Sequence, residues 1–253
     1  MCLIVFAINH HPDYPLILAG NRDEFFARPT TPAAQWQDHP ALFGGRDVHA
    51  GGTWMALHQD GRIASVTNYR DLKNLKDDAK SRGELPVNYL LGSQSANAFL
   101  AKLHPEAQLF NGFNLLLYER KAMYHYSNYE GKINRVTDGV HGLSNALLDT
   151  PWPKVNRLKQ AFTEAISSDF THASLLDLMH DDELAPDEQL PDTGVGYDLE
   201  KMLSAICIRS EKYGTCSSSV ITVSKSGEIA FTERTYPVGG RKAGEVEFRF
   251  VAK

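Results

Sequence analysis

The chain has 253 residues, 42% of them hydrophobic, a net charge of -5 and a sequence pI near 6.1. That length and apolar content support one large core, and no Lys/Arg block or basic face appears, which argues against nucleic acid as a partner and against electrostatic binding to an anionic membrane. No apolar segment approaches the roughly 20 residues needed to span a bilayer, and the three cysteines, Cys2, Cys207 and Cys216, support neither a disulfide framework nor a zinc site.

In chain order, residues 2–9 and 16–21 are short apolar runs joined by His10-His11-Pro12-Asp13, so they read as adjacent antiparallel strands. Polar Asn21-Arg22-Asp23-Glu24 closes the second run and is expected just after its strand. Residues 53–58 and 62–68 flank Gln59-Asp60-Gly61, and Asp-Gly between β-type segments is a strong hairpin signal. Helices are expected at 95–103, capped by Ser93 or Ser95, and at 153–166, where Val155, Leu158, Phe162 and Ile166 fall at helical spacing behind Pro151 and Pro153. Strands follow at 113–119, 123–127 and 140–143, shorter helices at 171–180 and 198–205, and strands again at 218–224, 229–236 and 246–251. The Pro, Asp and Glu-rich stretch 181–192 is the one candidate break, and its brevity makes it a surface excursion within a single domain, 1–253. Two strand blocks around a group of helices suit a layered α+β domain with two packed sheets.

Cys2 carries the most direct chemistry. If Met1 is removed, thiol and free α-amine share one residue, and an α-amine titrating near ~7.7 to 8.0 can serve as base for its own thiol. The alternative is a small hydrophobe filling a strand end. Arg22 beside a thiol stabilises a thiolate or holds a substrate carboxylate, and Asp23 can orient an α-ammonium. Asn68 and Asn145 end strands where a neutral amide serves either as an oxyanion donor or as a strand cap. Gly51-Gly52 permits a turn or a close backbone approach. Arg209 and Tyr213-Gly214-Thr215 precede the last strand block and also read as a turn with an exposed charge. No HExxH, CxxCH or phosphate-loop motif occurs, so no metal or nucleotide cofactor is expected and any haem contact is noncovalent.

Met1-Cys2, Asn21-Arg22-Asp23-Glu24, Gly51-Gly52-Thr53-Trp54, Thr67-Asn68-Tyr69-Arg70, Gly142-Leu143-Ser144-Asn145 and Tyr213-Gly214-Thr215 together resemble the NRDE family, that of transport and Golgi organisation protein 2, from residue 1 to about Tyr236. The resemblance implies a four-layer αββα sandwich of N-terminal-nucleophile (Ntn) hydrolase type, similar to choloylglycine hydrolases and penicillin V acylase. It implies site residues Cys2, Arg22, Asp23, Asn68, Asn145 and Arg209. Those acylases separate their first Arg and Asp, which are adjacent here, and Cys216 stands where the family more often has Arg. The role attached to the family is haem mobilisation to acceptor proteins, with Arg22, Arg70 or Arg209 available for the propionates, while the motifs themselves suit a cysteine amidase cleaving a C–N bond. The absence of a signal sequence gives a cytoplasmic expectation.

Overall fold

In the computed structural model, which describes residues 2–237 and 244–253, the chain forms four layers: helices, sheet, sheet, helices. The first sheet runs in the order β10 (Gly139–Leu143), β1 (Cys2–Ile8), β2 (Leu16–Phe25), β11 (Tyr213–Val223), β12 (Glu228–Thr235), β13 (Gly244–Val251). The second runs β3 (Thr30–Gln35), β4 (Leu42–Asp47), β5 (Met55–His58), β6 (Ile63–Asn68), β7 (Phe113–Glu119), β8 (Ala122–Ser127), β9 (Ile133–Arg135), and every pairing between these strands is antiparallel. The mixed α+β architecture is as the sequence implies.

Period-two alternation builds the layers. From β1 and β2, Ile4, Phe6, Ile8, Leu16 and Leu18 face the second sheet and meet Met55, Leu57, Ile63, Leu116 and Tyr118. The alternate residues Leu3, Val5, Ala7, Ile17 and Ala19 face outward and pack under α3 (Pro153–Ile166) and α4 (His172–Leu178) through Val155, Leu158, Phe162 and Leu175. β1 therefore has no solvent face, which is why its sequence is apolar without a break. On the far side α1 (Glu84–Leu91) and α2 (Ala96–Leu103), the latter capped by Ser95, cover Ala64, Val66, Leu115 and Leu117. α5 (Tyr197–Met202) is the shortest of the α-helices among the described residues. Burying one side chain such as Phe162 or Leu116 stabilises the fold by about 1.5–3 kcal/mol.

Two expectations are corrected, and three elements were not foreseen. β2 does not stop at residue 21 but runs to Phe25, so Asn21-Arg22-Asp23-Glu24 lies inside a strand, paired with β11. Tyr213-Gly214-Thr215 is likewise strand and not turn. β3, β4 and α1 carry no hydrophobic periodicity strong enough to announce them; β3 is edge-like, TTPAAQ, and takes its order from pairing with β4.

Candidate active site

β1 is flanked by β10 and β2, so Cys2 opens an interior strand, second from the edge of the sheet. Cys2 pairs with Arg22, and Arg22 with Ser217. Continuing the β1–β10 register two residues past the Ile4–Leu143 pair sets Asn145 level with Cys2. Along this end of the sandwich the inner-face alternation turns from apolar to polar, and the sheets part into a cleft of about 330 Å3 lined by Cys2, Arg22, Glu24, Asn68, Lys80 and Arg82 among others. An adjoining groove of about 410 Å3 shares Arg22, Arg28, Thr30, Gly45 and Trp54 with it and adds Phe26, Pro29, Pro32, Cys216, Glu233 and Tyr236.

Because successive strand residues point to opposite faces, the polar string of β2 divides in two. Arg22 and Glu24 face the cleft, their charged groups 3.8 Å apart. Asn21 and Asp23 serve the helix side. The Asn21 side-chain amide donates to the carbonyls of Met179 at 2.8 Å and Ile206 at 2.9 Å, and its oxygen accepts from the Ser218 hydroxyl at 2.5 Å, tying the end of α4 to the sheet. The Asp23 carboxylate accepts from the Thr215 hydroxyl at 2.7 Å. A bulge at Cys216 lets β11 present Thr215 to Asp23 and Ser217 to Arg22 in adjacent rows.

Behind Asp23 lies a buried charge cluster that the sequence did not reveal. Lys154 is 2% exposed, its Nζ donating to the Leu203 carbonyl at 2.9 Å. Burial brings it down to about 8 against the supporting negative charge of Asp23. Asp23 itself is raised by burial, with Lys154 and the Thr215 bond acting the other way. Lys154 precedes Leu158 by one helical turn and so shares the apolar stripe of α3, the one sequence signal that it is buried. Arg70 pairs with Glu200 at 2.7 Å and lies over the Trp152 ring at 4.6 Å. Its side chain is buried against Glu200, away from the cleft, which removes it as a contact for an anionic ligand there.

The Cys2 thiol, 7% exposed, is pushed up to about 11, first by burial and further by Asp23, with Arg22 opposing. In this state it is a poor nucleophile. Asn68 lines the cleft with its side-chain amide uncommitted among the described residues, while its carbonyl accepts from the Asn145 amide at 2.9 Å. Asn145 is buried and also holds the Arg70 backbone N–H at 2.7 Å through its carbonyl, so it braces Asn68 and does not line the cleft. Arg209 is not brought to Cys2. It pairs with Asp182 at 3.2 Å and donates to His180 at 2.9 Å on the exposed surface, because the loop before β11 turns away from the cleft. Of the six residues implied by resemblance, Cys2, Arg22 and Asn68 form the cleft with side chains, Asp23 and Asn145 support them, and Arg209 stands apart.

Residues the sequence did not single out complete the walls. Glu233 on β12 accepts from the Ala33 N–H at 2.7 Å and is raised by burial, bridging the two sheets at the groove. Arg82 enters from the loop before α1. Among the described residues no His or Met lines either part of the cleft, and the sulfur donors there are Cys2 and Cys216. Among the described residues no cluster of His, Cys, Asp and Glu could hold a metal ion, and no helix is long and apolar enough to cross a membrane.

The molecule is thus a four-layer α+β sandwich of two antiparallel sheets between helices, with a cysteine at the start of an interior strand that opens into a cleft between the sheets. The model of the family "Transport and Golgi organisation 2" matches residues 1–237, and the chain belongs to that family. It is 36% identical to the human transport and Golgi organization protein 2 homolog, covering 93% of each chain, and 29% identical to the Drosophila melanogaster transport and Golgi organization protein 2, covering 93% of this chain and 92% of the relative. Among solved structures it is similar to the Caenorhabditis elegans N-acylethanolamine-hydrolyzing acid amidase ortholog, with a TM-score of 0.45 and 9% identity over 87% of this chain and 92% of that one.

Proposed function

We propose that the cleft beside Cys2 binds an amphipathic carboxylate noncovalently, with haem, passed on to acceptor proteins in the cytoplasm, as the cargo that the family suggests. The observation that carries this reading is the continuity of a polar cleft, where Arg22, Arg28, Lys80 and Arg82 stand beside Asp23, Glu24 and Asp47, with a groove walled by Phe26, Pro29, Trp54 and Tyr236. Propionates suit the guanidinium groups and an apolar ring suits the groove. Cys2 and Cys216 offer sulfur for an iron. Titration of the purified protein with haemin tests it: a shifted Soret band and transfer of haem to an apo-acceptor are expected, and the absence of both overturns the haem assignment.

A second reading is favoured by one observation, the Cys2 thiol and the uncommitted Asn68 amide lining the same cleft. On removal of Met1, the Cys2 α-amine takes the thiol proton, the thiolate attacks an amide carbonyl carbon and Asn68 N–H groups hold the oxyanion. The C–N bond then breaks, the leaving amine takes the proton back, and water hydrolyses the thioester. Intact mass decides whether Met1 is retained. A retained Met1 excludes this route, since its base would then be an amide nitrogen.

A further inference from the structure

We propose that Arg82 is a specificity-determining residue of the Cys2 cleft, which takes an N-acyl amino acid with its carboxylate on Arg82, its amide beside Cys2 and Asn68, and its acyl chain in the adjoining groove. The proposal rests on the reading of that cleft as a site for amphipathic carboxylates.

Arg82 is held by backbone geometry. The Thr53 N–H donates to the Gly83 carbonyl at 3.0 Å, and a Cβ on Gly52 would lie 2.4 Å from that same carbonyl oxygen. Gly52 therefore allows the loop 79–83 to close on the start of β5, and α1 begins directly after it at Glu84. This presents the Arg82 side chain to the cleft as a fixed wall.

The partners of Arg82 do not match its capacity. A guanidinium carries five N–H donors, and the one acceptor among the described residues is the Gly112 carbonyl at 3.0 Å from Nη1. Other arginines in and near the site have carboxylate partners: Arg22 has Glu24, Arg28 has Asp47 and Arg70 has Glu200. Arg82, half-buried, has none among the described residues, and a desolvated cation without a counter-charge is unfavourable. A ligand anion supplies that charge bidentately.

The rest of the cleft sets the order of groups on the ligand. Cys2, Asn68 and Arg82 line the polar part, and Phe26, Pro29, Pro32 and Tyr236 the apolar part, with Arg22 and Trp54 common to both. An anion, a neutral polar link and a hydrocarbon in sequence match a carboxylate, an amide and an acyl chain.

The test is calorimetric titration of the full chain with N-dodecanoylglycine and its neutral isostere N-dodecanoylglycinamide, in the wild type, Arg82→Gln and Arg82→Lys. The wild type is expected to prefer the carboxylate on the order of tenfold. Arg82→Gln should abolish the preference by lowering affinity for the carboxylate, with its unfolding free energy reporting an intact fold, and Arg82→Lys should restore part of it. Equal affinities in the wild type, or a preference that survives Arg82→Gln, overturn the assignment of Arg82 while haemin binding leaves the broader reading standing. If neither conjugate nor haemin binds, both fall.

Discussion

The two faces of β2 at Asn21-Arg22-Asp23-Glu24 do opposite things with the same kind of residue. On the helix side, Asn21 has every side-chain donor and acceptor engaged, Asp23 is bonded to Thr215, and the charges of Lys154, Arg70 and Glu200 close a buried cluster. On the cleft side, among the described residues, Arg22 meets Glu24 at 3.8 Å, the Asn68 amide is uncommitted and Arg82 has no counter-ion. Saturated polar groups rigidify, whereas groups left short of partners in a cleft await a ligand. The difference teaches that a four-residue motif can be half scaffold and half site, divided by strand parity alone.

The largest blow to that division would come from the buried pair. Glu200→Ala leaves Arg70 charged and unpaired in the interior and should cost about 3–5 kcal/mol in denaturant unfolding, while Arg82→Gln should stay within about 1 kcal/mol. If the two variants are equally stable, the contrast between scaffold and cleft is lost. Lys154 sharpens it through pH. Its folded pKa near 8 lies below the unfolded value of 10.5, so between those limits the unfolded chain binds more protons and stability rises with pH. The wild type should gain on the order of 3 kcal/mol relative to Lys154→Met from pH 8 to 10.5, measured as the difference in unfolding free energy, and a flat difference would remove Lys154 from the buried cluster. Asn21→Ala strands two carbonyls and a hydroxyl and should cost about 2 kcal/mol, with ligand binding by the folded fraction unchanged. The smallest energetic effect is at Cys2, where Cys2→Ala should change stability by about 1 kcal/mol or less. Alkylation of the Met1-bearing protein at Cys2 should be slow at neutral pH and rise without plateau toward pH 11, and a plateau near neutrality would show an activated thiol.

Much of this was legible in the sequence. The apolar runs that became β1 and β7, and the stripe of α3, announced themselves through period and end signals, with 113–119 and 153–166 matching residue for residue. Cys2 and Arg22 could be placed near one another because adjacent antiparallel strands return to the same end of a sheet, whereas Asn68, on a strand of the other sheet, was tied to them only by the family resemblance. Arg209 could not be placed, since a loop residue has no periodicity to aim it. Arg82 lies in a polar loop whose course depends on Gly52 meeting Gly83, a contact between segments with no shared pattern. Lys154 sits on the apolar stripe, but a lysine at a helix start is ordinarily solvated, and only its burial with Nζ donating to the Leu203 carbonyl shows otherwise.

By itself the sequence determined which segments are strands and helices at the core, that two sheets and outer helices would layer together, and which family motifs gather around Cys2, because hydrophobic period and turn chemistry are local. Tertiary structure alone decided that Arg22 and Asp23 part to opposite faces, that Asn145 and Arg70 are braces, that Arg209 is elsewhere and that Arg82 stands in the cleft. Those outcomes depend on strand register and on backbone contacts between distant segments, where a shift of one residue exchanges the core face for the other.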